Sequence, residues 1–391
     1  MQKKSAILIG AGIVGLATAR ALAQKGFNVK VFDRNPQAAG ASVRNFGMVW
    51  PIGQPSGVLY NRAMRSRDIW KELARESNIW YEETGSLHLA YNAEEWQVLQ
   101  ELESIFKKEK RAVLLLDKKA ISEKYEHVNT DNLSGGLYSA DEMLIDPREA
   151  LAALPGYLQE KYEVEFHWNK CVSYITDQTV YIGNDEEYVA DLIFVCSGAD
   201  FETLYPEEFS KLPLTKCKLQ MLRTAPMPER YRIKTAICGG LSLLHYSSFK
   251  AAPSLPQLQK KIALEMKEYL DNGIHVMAAQ NGKGEITIGD SHEYGSGFEP
   301  FDKTSINKMI LDYLKSLLKI NTNAIAETWH GIYPKLTNGD TEIFISPDPG
   351  VYILNGVGGA GMTLSFGLAE EIIEQLTEPK QVKVISLNNS F

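Results

Sequence analysis

The chain has 391 residues, 44% hydrophobic and 23% charged, with a formal net charge of −8. That length exceeds one ordinary core and suits two intimately joined domains, neither of which need be contiguous. The composition excludes a disordered or fibrous chain, and the acidic balance argues against a phosphate-backbone partner, which needs concentrated Lys and Arg; small-molecule chemistry is expected and nucleic acid is not.

Residues 5–10 read as a short buried strand and 13–25 as a helix rich in Ala and Leu, with Gly26 at the C-cap position. Residues 28–32 form a second apolar strand ending at Asp33, which completes a βαβ unit. An ordered loop of Gly, Ser and Pro spans 40–55, helices are expected over 59–77 and 93–108, and a strand over 86–91 lies between them. A helix over 147–161 carries Pro in its first turn, where the missing N–H costs nothing. Strands follow at 163–168, 172–176, 179–182 and 192–196; the middle pair alternate as in a meander, and the last is continuously apolar, as in a doubly covered central strand. Between 214 and 326, strands and helices over 258–271 and 303–318 suggest a separate mixed domain. Residues 351–355 are the last strand, followed by a glycine-rich turn over 356–361 and an apolar helix over 364–376.

Cys171, Cys196, Cys217 and Cys238 stand too far apart for a CxxC motif and are expected as buried thiols in a reducing compartment. The apolar run 6–14 is too short and glycine-broken for a signal peptide, and nothing approaches ~18 unbroken apolar residues, so no membrane span and a cytoplasmic location are expected.

Gly10, Gly12 and Gly15 form GxGxxG between the first strand and helix. They suit a tight turn, close approach of a pyrophosphate and close helix–strand packing, and the helix N-terminus, beginning with Ile13 and Val14, offers free N–H groups to the diphosphate. Asp33 would accept from a ribose hydroxyl, and Arg34 beside it is a further cofactor-binding candidate. Two later junctions choose FAD over NAD. FVCSGAD (194–200), with Ser197 and Gly198, and ILNGVGGAGMT (353–363) each carry an apolar strand into a small-residue turn. A flavin uses the second, because a helix N-terminus there stabilises the negative charge that reduction places on the ring. Gly356, Gly359, Ala360, Gly361, Met362 and Thr363 are the residues placed there.

On these segments, with GASVRNFGM (40–48), IDPREAL (145–151) and WHGIYP (329–334), the chain resembles the D-amino-acid oxidase superfamily, in the branch of glycine oxidase and sarcosine oxidase, over nearly its whole length. The resemblance implies an α/β fold: a Rossmann-like FAD domain of glutathione-reductase type, from 1–84, 144–212 and 328–391, and a mixed-sheet α+β substrate domain from 85–143 and 213–327. It places Ser42, Asn45, Gly47 and Met48 beside the flavin ring, Gly331 near it, and the backbone of Val172 at the adenine. It implies amine oxidation by hydride transfer to FAD, followed by hydrolysis of an imine, with oxygen or another electron acceptor. A noncatalytic flavin subunit and a flavin monooxygenase are the alternatives, though the latter usually has Gly-Asp where this chain has Asn355–Gly356.

Where the family commonly carries an Arg that grips a substrate carboxylate, this chain has Tyr333. Arg44 is the leading replacement and Arg223 the second, since guanidinium meets carboxylate or phosphonate oxygens with paired hydrogen bonds. RNFGMVWP with GIYP resembles a subgroup linked to aminophosphonate breakdown. His330, by its motif, is placed near the flavin, and His245, Tyr246, His292 and Tyr294 are further pocket candidates. Relatives that attach flavin covalently use His or Cys; Arg44 stands where that His would be and no cysteine lies near Tyr333, so noncovalent FAD is expected. Thr287 occupies the position where some relatives use a Lys to activate oxygen.

Overall fold

The computed structural model describes residues 3–183, 185–321 and 324–378. A six-stranded sheet runs in the order Ile343–Ile345, Val351–Asn355, Leu192–Val195, Ser5–Ile9, Asn28–Asp33, Glu165–Trp168. Its pairs are parallel except that of Ile343–Ile345 with Val351–Asn355. Both faces are covered, which is why these strands are apolar runs rather than alternating ones. Helices Ile13–Gln24, Val58–Ser77, Pro147–Tyr162 and Gly361–Thr377 pack on one face through Leu16, Trp70, Leu154 and Phe366. The meander Val172–Thr176, Thr179–Ile182, Glu186–Val189 covers the other through Val172 and Val180.

The second large sheet, of nine strands, is mixed: Ala236–Cys238 pairs in parallel with Ser86–Ala90, and its other pairs are antiparallel. Leu214–Thr224 and Ile325–Leu336 pair along their whole length, from Leu214 opposite Leu336 to Thr224 opposite Ile325. The domain boundary expected at 328 therefore falls inside a strand of this sheet. Phe106 and Phe249 pack on one face, Leu89, Ile288 and Ile310 on the other.

Several expectations are corrected. The helix expected over 258–271 is two, Leu255–Glu265 and Lys267–Asp271, because Met266 leaves helical backbone at φ −133°. The strands Val113–Asp117, Gly135–Ser139 and Met143–Ile145 were not read from the sequence. Glu163, expected to start a strand, sits at φ 60°, and the strand begins at Glu165. Cys171 is exposed, while Cys196, Cys217 and Cys238 are buried and all are free thiols. Among the described residues no helix is long and apolar enough to cross a membrane.

Candidate active site

The parallel strands end on one edge, where their glycine turns gather. Gly10 has φ 109°, and a Cβ on it would stand 2.4 Å from the Cys196 carbonyl oxygen; one on Gly15 would stand 1.9 Å from the Gly10 carbonyl oxygen. These positions exclude any side chain, so the helix Ile13–Gln24 comes down onto its own turn and presents its first N–H groups at the edge. Asp33 Oδ2 accepts from the Ala11 N–H at 2.9 Å and Oδ1 from the Asn35 N–H at 2.9 Å. Oδ1 also accepts from Asn35 Nδ2 at 3.2 Å, so Oδ2, with a single bond, is the oxygen that keeps lone-pair capacity for a hydroxyl. Arg34 is held by Asp200. Burial raises the Asp200 carboxyl, but the bonds from Thr203 and Arg34 outweigh it and bring it to about 2. Val172 is buried at the start of its strand, and the N–H of nearby Lys170 donates to the Asp33 carbonyl at 2.9 Å.

Beside this turn lies the second. A Cβ on Gly361 would stand 3.2 Å from Ile13 Cγ2, so the N-termini of helices Ile13–Gln24 and Gly361–Thr377 meet. Asn355, read in the sequence only as a contrast with another family, donates from Nδ2 to the Gly198 carbonyl at 2.9 Å and accepts the Gly356 N–H at 2.8 Å. Its position at the end of the strand, immediately before Gly356, was the available signal. Ser197 Oγ donates to the Asp200 carbonyl at 2.7 Å, closing the neighbouring turn. Thr363 Oγ1 accepts the Trp50 N–H at 3.0 Å and the Met362 carbonyl accepts Trp70 Nε1 at 2.8 Å, which fixes the last helix against the helix Val58–Ser77 and the loop over 40–55.

That loop, expected as ordered, contains two short 3-10 turns, Ala41–Val43 and Pro51–Gly53, and the strand Met48–Val49. Ser42 Oγ accepts the Ile13 N–H at 3.0 Å, so it caps the first helix across the site. Asn45 donates to the carbonyls of Ala41 and Ser42 and accepts the Gly47 N–H at 2.8 Å. Gly47, at φ 73°, passes so close to Ile145 that a Cβ would lie 1.8 Å from its carbonyl oxygen.

The long strand pair brings a side-chain face against this loop. Because alternate residues of a strand face opposite ways, Trp329, Gly331 and Tyr333 share one face, where Tyr333 and Trp329 pack with Cys217, Leu219, Met221, Ala41 and Phe46. The Tyr333 hydroxyl would lie 3.5 Å from a Cβ on Gly359, so the sheet face meets the second turn there. Burial holds the Tyr333 phenol well above its usual range. Cys217 stands directly opposite Tyr333 in register, correcting the expectation that no cysteine lies near it; cross-strand pairing is invisible to sequence distance. Burial pushes the Cys217 thiol up to about 11, against a lowering bond with Tyr333. A neutral buried thiol is a poor nucleophile.

The same alternation turns His330 away. Its imidazole bonds Asp302 Oδ1 at 2.9 Å on the opposite face, so the expected pocket role is corrected to a backbone one: its carbonyl accepts Arg44 Nη1 at 3.2 Å. Among the described residues no carboxylate lies within ion-pair distance of Arg44. Arg223 does face the site but is engaged, 2.7 Å from Glu327 and 3.9 Å from Glu285, and its guanidinium lies 4.8 Å from the Trp329 ring centroid. Thr287 is its cross-strand neighbour, and both line a small recess with Phe46, Arg148 and Asn281. His245, Tyr246 and His292 cluster with His275, which the sequence reading missed because GIHVMAA is otherwise an apolar run. Tyr294 is half exposed, its hydroxyl 3.1 Å from Lys335 Nζ.

The DAO family model, described as FAD dependent oxidoreductase, matches residues 5–375. The chain is 28% identical to a Chromobacterium violaceum protein, tRNA 5-methylaminomethyl-2-thiouridine biosynthesis bifunctional protein MnmC, over 265 residues, which are 61% of this chain and 36% of that protein. It therefore spans well under half the length of that relative. A glycine oxidase structure from Bacillus cereus superposes with a TM-score of 0.77 at 17% identity, covering 97% of this chain and 96% of that one. An L-proline dehydrogenase structure from P. horikoshii gives 0.78 at 20% identity, covering 98% and 96%. At those identities the two structures share the fold.

Proposed function

We propose, for a chain that belongs to the DAO family of FAD-dependent oxidoreductases, that it oxidises the carbon–nitrogen bond of a small amine, an amino acid or aminophosphonate whose anion Arg44 holds. FAD, when bound, supplies the acceptor for the hydride leaving the carbon beside the nitrogen. The chain's own residues hold the cofactor and orient the amine. Gly10 and Gly15 let strand, turn and helix close on one another, Gly12 suits close approach of a diphosphate, and the Ile13 and Val14 end of the helix, capped at the Ile13 N–H by Ser42, suits its charge. Asp33 suits a ribose hydroxyl and Val172 the adenine. The N-terminus of Gly361–Thr377 suits the end of the flavin ring that gains negative charge on reduction.

The observation that carries this reading is the meeting of Tyr333 with Gly359, which sets a side-chain face of the large sheet against the turn assigned to the flavin. Phe46 and Met221, packed on that face, make the space apolar, and an amine there is favoured in its neutral, hydride-donating form. Arg44 supplies the one guanidinium on that side free of a carboxylate partner among the described residues. The net charge of −8 argues against a large nucleic-acid substrate such as the tRNA in the Chromobacterium protein's name.

The test is anaerobic bleaching of the purified yellow protein with glycine, N-methyl and D-amino acids, L-proline and 2-aminoethylphosphonate. Rapid bleaching by a member of this panel is expected. A flavin that dithionite reduces but none of these amines does would overturn amine oxidation and leave a noncatalytic flavin protein. Air reoxidation of the bleached protein then separates an oxidase from a dehydrogenase.

A further inference from the structure

Beyond Gly289 the large sheet gathers three imidazoles and a carboxylate from separate places in the chain. His245 follows the 3-10 turn Gly240–Leu244, His275 precedes the strand Met277–Gln280, and Asp290 and His292 follow the strand Ile286–Gly289. The ring centroids are 3.9 Å apart for His245 and His275, 4.7 Å for His245 and His292, and 5.0 Å for His275 and His292. One ring nitrogen of each lies within 4.8 Å of the others. Asp290 Oδ1 is 3.2 Å from His275 Nε2, and Oδ2 is 3.9 Å from His292 Nε2.

Their bonding is incomplete. His275 is 4% exposed and Asp290 5%, yet neither ring nitrogen of His275 nor Oδ1 of Asp290 has a hydrogen-bond partner of good geometry. Buried polar atoms are nearly always satisfied, and orphaned atoms gathered in one cluster call for a partner, of which an ion is one kind. His292 shows which kind. Its Nδ1 lies 2.9 Å from the Gly273 carbonyl, which can only accept, so Nδ1 carries the proton and the Nε2 lone pair is left facing Asp290. A backbone carbonyl that fixes the tautomer of an imidazole is the usual support of a histidine metal ligand.

We infer that His245, His275, His292 and Asp290 form a binding site for a divalent transition-metal ion of the zinc class. Three neutral imidazoles and one carboxylate are a borderline-soft ligand set that suits zinc, cobalt or nickel and disfavours magnesium and calcium, which take oxygen ligands. In a tetrahedron with zinc–nitrogen bonds of about 2.1 Å the ligand nitrogens stand about 3.4 Å apart, so binding draws the rings inward by small rotations. The inference does not depend on the proposed amine oxidation, and its test reads metal rather than turnover.

The experiment uses the full chain with its FAD, purified without a histidine tag, stripped with EDTA and titrated with Zn2+ against a chromophoric chelator. One tightly held Zn2+ per chain is expected, with a rise in the unfolding temperature. His275→Ala and Asp290→Asn should each weaken binding by about tenfold or more, the loss usual for removing a metal's supporting groups, and abolish the thermal shift. His127→Ala, whose imidazole contacts the Arg230 carbonyl elsewhere, leaves both intact. Retained flavin absorbance shows that a variant is folded, and His275→Cys, which keeps a zinc ligand, should retain most of the affinity if His275→Ala fails to fold. No stoichiometric Zn2+ on the parent protein, or equal affinity in parent, His275→Ala and Asp290→Asn, overturns the site.

Discussion

Asn355 Nδ2 donates to the Gly198 carbonyl oxygen at 2.9 Å, and with its Oδ1 on the Gly356 N–H this one buried amide joins the turns that end two neighbouring parallel strands. Asn355→Asp keeps the acceptor but turns an oxygen toward the Gly198 carbonyl, whereas Asn355→Ala leaves both backbone groups without the amide. Loss of such a bond inside the protein costs about 1–3 kcal/mol. Both variants should unfold at lower temperature and bind FAD more weakly, and Asn355→Asp should show the larger effect at neutral pH. Flavin fluorescence titration and thermal unfolding check this; unchanged affinity in both would separate Asn355 from the cofactor site.

The glycines of the first turn differ in what they forbid. Gly15→Val sets a side chain into the Gly10 carbonyl, 1.9 Å from its Cβ, so it should prevent the βαβ unit from closing and give little folded protein. Gly12 has ordinary backbone at φ −73°, with Ser42 Oγ 3.2 Å from a Cβ. Gly12→Val should therefore fold yet remain colourless, because its methyl groups fill the space of the pyrophosphate. Circular dichroism together with the visible spectrum distinguishes the two, and a yellow Gly12→Val protein with parental affinity would move the nucleotide site elsewhere.

In the parent protein, acid or heat precipitation should release all the yellow colour into the supernatant as FAD. Arg44 cannot form a flavin bond, and Cys217, although opposite Tyr333, is fully buried with its thiol at about 11. Colour that stays with the pellet would identify a covalent link, with Cys217 as the residue to replace first.

The nucleotide half was legible because its signals are local. GxGxxG, the apolar runs of the doubly covered sheet and the glycine turn after Asn355 are each contained within one element and its neighbour. The substrate half was not, because its face is assembled by pairing. Cys217 opposite Tyr333, Thr287 opposite Arg223, and His275 beside His245 are contacts between distant strands with no spacing rule in the chain. His330 shows the complementary error: a motif located the residue, but strand alternation, which moves every second side chain to the other face, sent its ring to Asp302.

Glu142 gives a pH-dependent prediction. It is wholly buried, its carboxylate accepts the Ile52 N–H at 2.9 Å and the Ser86 hydroxyl at 3.0 Å, and burial lifts its pKa from the usual 4.5 to about 7. Between those values the folded protein keeps a proton that the unfolded chain has lost, so stability falls as pH rises through the window and stays lower above it. Glu142→Gln retains an acceptor and removes the charge. The variant should gain up to about 3 kcal/mol on the parent in urea unfolding at about pH 8 and lose most of that advantage at about pH 5. Parallel stability profiles for the two proteins would show that Glu142 titrates normally.

The last prediction concerns the substrate anion. Arg44 and Arg223 border the face that carries Tyr333, and their surroundings differ; Arg148, which shares the recess of Arg223, is held by Asp146 and Glu285. Arg223 is shared between Glu327 and Glu285, and gripping an incoming anion would mean surrendering carboxylates it already holds. Arg44 contacts only carbonyl oxygen, through Nη1 on His330, and its remaining donors are uncommitted among the described residues. If Arg44 pairs with the substrate carboxylate or phosphonate, Arg44→Ala should weaken productive binding by about 2–5 kcal/mol, the range for truncating one member of a charge pair that becomes buried. FAD binding should be preserved. Arg44→Lys should recover only part of the loss, because a point charge cannot reproduce paired planar donors. Tyr333→Phe should cost less, about 1–2 kcal/mol for one hydrogen bond from a phenol that burial keeps neutral. The measurement is the rate of anaerobic flavin reduction against substrate concentration in the parent and the three variants. Unchanged saturation and limiting rate in Arg44→Ala would remove Arg44 from the site and make Arg223, freed by Glu327→Gln, the next residue to examine.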